Sequence, residues 1–142
     1  MSAPVTAVRQ STVGSLIPPG RLRLVRVLLV IATVGAVGAA IAQIQVVFDA
    51  GGATKVVETW RLYGFVVFAG LFALLAVRPL GNLVVWLLVI TNKLALTLTA
   101  LAYEAHGGIV DTGTIIGWDG GLTVLLLAAV AASRLGARPS VG

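Results

Sequence analysis

The sequence predicts an all-α membrane protein of four transmembrane helices in an antiparallel, up-down bundle. Three observations carry that prediction. Of 142 residues, 58% are hydrophobic and only 11% are charged, too apolar a balance for an ordinary water-soluble domain. The apolar residues fall into four runs near the length a bilayer requires, separated by short polar connections. The basic residues alternate in abundance from one connection to the next, as the positive-inside rule demands of a multi-pass protein.

The first twenty residues, MSAPVTAVRQSTVGSLIPPG, lack helical periodicity. They read as a flexible cytoplasmic tail, and Pro18-Pro19-Gly20 reads as a stop to any helix there. The transmembrane domain is expected over residues 21–136, with a second cytoplasmic tail at 137–142. Arg21, Arg23 and Arg26 precede the first span, 27–47, which is about 31 Å long at 1.5 Å per residue. Ala40-Ile41-Ala42 before Gln43 also resembles a signal-peptide cleavage site, and cutting there would leave three helices. The long basic segment before the run, and its apolar continuation through Phe48, favour a retained helix.

The second span, 60–77, draws Trp60 and Arg61 into the interface, where tryptophan is favoured and arginine reaches toward water. Arg78-Pro79-Leu80-Gly81 then predicts a tight antiparallel hairpin, because proline cannot continue the helix and glycine tolerates unusual dihedrals. The third span, 80–102, carries Lys93 in its middle. A polar, glycine-rich loop from His106 through Gly113 leads to the fourth span, 116–135, entered by Trp118 and Asp119.

With the N-terminus inside, seven of the ten basic residues (Arg9, Arg21, Arg23, Arg26, Arg78, Arg134 and Arg138) are cytoplasmic. Lys55 and Arg61 lie outside, and all five acids fall toward that outer side. Both termini are therefore expected in the cytoplasm. Richness in Ala, Val, Gly, Leu and Arg matches the codon usage of a high-G+C bacterium, so the expected location is a bacterial inner membrane. Small residues at four-residue spacing (Ala32, Ala36 and Ala40; Gly35 and Ala39) predict close helix packing within the chain, with a homodimer face as the alternative.

Chemistry-bearing motifs are few. There is no cysteine and a single histidine, which excludes disulfides and thiol nucleophiles and argues against a protein-only transition-metal centre. No phosphate-binding or dinucleotide-binding glycine motif is present. No cofactor and no nucleic-acid partner are expected. The expected partners are the lipid bilayer and either another membrane protein or further copies of the chain.

Lys93 is the feature that calls for an explanation, since a lysine at mid-helix costs about 2.5–3.5 kcal/mol to insert. Three accounts stand. Its stem reaches one face, or its ammonium is capped by Asn92, Thr97 or a carbonyl; it pairs with an acid on another helix, Asp119 being the best placed; or it lines a hydrated path for a proton or small anion. Lys93, Thr97, Ala100 and Glu104 share one helical stripe, and Asn92, Thr99 and His106 a neighbouring one. Together they predict a polar seam opening onto an outer rim that includes Gln43, Glu58, Arg61 and Asp119. That rim reads either as a ligand pocket or as the ordinary wet end of a bundle with an aromatic belt of Trp60, Tyr63, Tyr103 and Trp118. Glu58 and Arg61 are expected to form a local ion pair, and Asp119 to sit near the first turn of its helix, where the macrodipole favours an acid.

The order of parts resembles the small four-helix membrane proteins of the broad DoxX-like kind. It carries W-R-L-Y-G at Trp60–Gly64, an R-P hairpin at Arg78-Pro79, and W-D-G-G at Trp118–Gly121. The resemblance implies four helices and transfers no residue role. The function expected from the sequence is that of a non-catalytic accessory or scaffolding component. The alternative is a small transporter or channel-like protein using Lys93 and the outer carboxylates.

Overall fold

The structure, a computed structural model, describes residues 18–107 and 111–134. The expected tails lie outside these residues apart from positions 18–20.

Helix α1 spans Pro19–Asp49. The diproline expected to stop a helix begins one instead: Pro18 is the N-cap and Pro19 the first helical residue. Its missing N–H is one of the donors left unbonded at any helix start, and its fixed φ suits the first turn. At 31 residues, α1 is about 46 Å long, so it outreaches a hydrocarbon core of about 30 Å. Its first turns carry Arg21, Arg23 and Arg26, and it ends at Asp49.

Helix α2, Lys55–Val77, begins one turn before Trp60. The Gly51 carbonyl accepts from the amides of Thr54 (3.0 Å) and Lys55 (2.9 Å), which turns the chain after α1. Helix α3, Leu83–His106, extends four residues beyond its apolar run and stops at Gly107, whose φ of +74° a side chain would resist. Between α2 and α3, Pro79 is buried and its carbonyl accepts a 2.8 Å bond from the Trp86 indole. The hairpin is thereby fastened to the bundle it leaves.

Helix α4 is built in three parts: an α-helical turn Thr112–Ile115, a π-helical stretch Ile116–Gly120, and an α-helical stretch Gly121–Arg134. The four helices form a closed ring. Helix α1 packs most extensively on α2 and also on α4, and α3 packs on α4 and more sparsely on α2. Each of the four contains a stretch long and apolar enough to cross a membrane. Their outer surface is apolar too, with Val34, Ile41, Leu88 and Val124 all at least 64% exposed; in water such a surface would aggregate.

The bundle interior is divided along its axis. Toward the end carrying Arg21, Arg23, Arg26 and Arg78, the core is apolar: Val25 and Leu29 from α1, Phe72 and Leu75 from α2, Trp86 and Val89 from α3, Leu126 and Ala129 from α4. Toward the other end, which holds Asp49, Glu58, Glu104 and Asp111, the buried positions include Gln43, Lys93, Thr112 and Thr123. The small stripe Ala32, Ala36 and Ala40 is buried within the ring, as intramolecular packing predicts.

Candidate polar site in the acidic half of the bundle

Lys93 lies on the face of α3 that turns inward, with its side chain 5% exposed. The π-helical stretch of α4 brings Asp119 opposite it. One extra residue in a helical turn rotates the side chains that follow, and such turns recur at functional sites. The Lys93 Nζ donates to Asp119 Oδ1 at 2.6 Å, and the Asp119 side chain is 14% exposed. From α2, the Phe68 ring lies under the ammonium, 4.3 Å from Nζ to centroid. A desolvated cation over a ring gains up to about 2 kcal/mol. Three helices thus share one charge.

The backbone around the pair is secured by hydroxyls. Thr97 Oγ1 donates to the Lys93 carbonyl at 2.8 Å, and Thr123 Oγ1 to the Asp119 carbonyl at 2.7 Å. At Gly120 the helices come close: a Cβ there would stand 3.4 Å from Thr97 Cγ2. A Cβ alone would just touch Thr97, and a longer side chain at Gly120 would have to fit between α3 and α4. Nearer the acidic end, Thr112 donates to the Glu104 carboxylate, a second polar link between α3 and α4.

A separate cluster joins α1 to α2. The Gln43 amide donates to Glu58 Oε2 at 2.7 Å, and Arg61 forms the expected local ion pair with the same oxygen at 2.9 Å. Gln43 is buried, whereas the Arg61 side chain is half exposed.

The nine residues anticipated for the site therefore divide. Lys93, Thr97 and Glu104 share one stripe that meets α4, the buried Lys93 through Asp119 and the exposed Glu104 through Thr112. Gln43, Glu58 and Arg61 meet across α1 and α2. Asn92 and His106 join neither group: both are exposed, and His106 Nδ1 bonds only back along its own helix to the Ala102 carbonyl at 2.7 Å. The expected second stripe of the seam faces outward, since it lies about 100° round the helix from Lys93. Asp119 also departs from the first-turn placement, because α4 begins at Thr112, two turns earlier. Phe68 and the π-helical stretch had no signal in the sequence. Aromatic residues in an apolar span are commonplace, and nothing in hydrophobic periodicity marks a helix that adds a residue to one turn.

Among the described residues no buried polar side-chain atom lacks a hydrogen-bond partner, and no group of three metal-ligating side chains occurs. A groove of about 370 Å³ lies elsewhere, between α1 and α2, bounded by Val37, Ile41, Ile44, Leu62 and Tyr63. Its apolar walls suit a hydrocarbon chain rather than an ion. Comparison with protein-family models, curated proteins and solved structures finds nothing that matches this chain.

Proposed function

We propose that the chain is a multi-pass protein of a bacterial inner membrane, with both termini cytoplasmic, acting as a non-catalytic accessory or scaffolding component beside other membrane proteins. The observation that carries this reading is the closure of the Lys93 charge within the chain, by the Asp119 carboxylate and the Phe68 ring. A cation already matched by an internal anion ties helices together and offers little to a solute. The arginine end faces the cytoplasm by the positive-inside rule. The DoxX-like layout belongs to the same proposal, supplying an architecture and no residue role.

Native mass spectrometry of the tagged protein, extracted gently from its own membrane, tests the accessory role. A second polypeptide in fixed stoichiometry is the expected result. The chain without any other polypeptide, carrying a bound small molecule, would overturn it.

One observation favours a second reading, a small transporter of a proton or anion. Asp119 sits in a π-helical stretch, and such stretches recur at functional sites. Ion flux separates the two readings.

A further inference from the structure

Five of the polar or small residues that α3 turns outward, with Leu88 before them, lie on one line. Leu88, Asn92, Ala95, Thr99, Ala102 and His106 follow steps of four, three, four, three and four, and all six are exposed. That spacing is the seam of a left-handed helix pair. It lies away from Lys93 and the neighbouring helices, and Asn92 makes no side-chain hydrogen bond among the described residues. An amide facing hydrocarbon at mid-span is costly unless another group satisfies it. Ala95, Thr99 and Ala102 beside it are small enough to let a second backbone approach closely.

We propose that this face of α3 is the interface between two copies of the chain, with Asn92 of one copy paired to Asn92 of the other. The choice of a second copy rests on complementarity. Identical copies insert in the same orientation, so a two-fold axis along the membrane normal sets each residue of the seam opposite itself at the same depth. An amide is its own partner under that symmetry, because it both donates and accepts. A single Asn in such a seam also sets register and favours pairs. The proposal rests on the membrane-spanning part of the reading above and is independent of the accessory role.

The cysteine-free chain makes the test direct. Single cysteines are placed at Ala95 and Thr99 on the seam and at Val66 on the outer face of α2, in full-length protein reconstituted in liposomes, and treated with a disulfide-forming oxidant. Cross-linked dimers are expected from Ala95→Cys and Thr99→Cys but not from Val66→Cys. Adding Asn92→Leu should weaken dimerisation about 5- to 30-fold, the range for loss of an interhelical hydrogen bond in a membrane. It should leave helical content and thermal unfolding of the monomer unchanged, since Asn92 holds nothing in its own chain. Equal cross-linking at all three positions, or none on the seam, would overturn the proposal, as would indifference of the dimer to Asn92→Leu. Reaction of Ala95→Cys with a water-soluble maleimide in sealed liposomes would overturn the hydrocarbon setting on which it stands. A second polypeptide in the native complex leaves these outcomes unaltered, so the two readings fail separately.

Discussion

At the scale of single residues, the Lys93–Asp119 pair dominates. Two charges removed from water attract strongly but are costly to desolvate, so the pair adds little net stability while the loss of either member is severe. Lys93→Met and Asp119→Asn should each destabilise the bundle by about 3 kcal/mol. The double variant should recover at least about 1 kcal/mol of the summed loss, measured as coupling in a double-mutant cycle of thermal unfolding. Additive losses would show that the two side chains do not meet. The partnership was legible in the sequence because Asp119 is the acid nearest in depth to Lys93 in an up-down bundle. Phe68 was not, since its part is set by the lateral placement of α2, which no spacing within one helix encodes.

At the scale of the element, α4 shows what hydropathy conveys and what it omits. Four runs of apolar residues foretold four helices, because burying backbone polar groups in hydrocarbon leaves the helix as the solution for a chain of this composition. Helix ends were less legible: α1 begins at Pro19 and α3 runs on to His106, since the turns beyond an apolar run are polar yet still hydrogen-bonded. The π-helical stretch was invisible. Gly120 and Gly121 are unequal despite their adjacency because successive residues of a helix point about 100° apart: a side chain at Gly120 meets Thr97 whereas at Gly121 it meets nothing within 4 Å. Gly120→Leu should force α3 and α4 apart and lower the unfolding temperature by several degrees, equivalent to about 1–3 kcal/mol of overpacking. Gly121→Leu should be neutral or mildly stabilising, because it replaces a glycine inside a helix at an open site. Thermal unfolding of the two variants side by side checks this, and equal losses would contradict it.

At the scale of the whole molecule, the bundle has an apolar half and a polar half. The arginine end is sealed by Phe72, Leu75, Trp86, Val89 and Leu126, while polar contacts at Gln43, Lys93 and Thr112 hold the acidic end together. A polar interior that stops at an apolar plug is a poor conduit, since a hydrated path would need to pass the close-packed layer. The composition foretold this only in part: the acids at one end and the arginines at the other were plain from the loops, but the division of the core depends on which residue of each turn faces inward. In the proposed role Lys93 ties the helices together and carries nothing across. The most direct test is proton and anion flux in proteoliposomes, comparing the natural chain with Lys93→Met and with empty vesicles. All three are expected to leak at the same rate. Flux through the natural chain that Lys93→Met abolishes, in a variant that remains folded, would contradict that role.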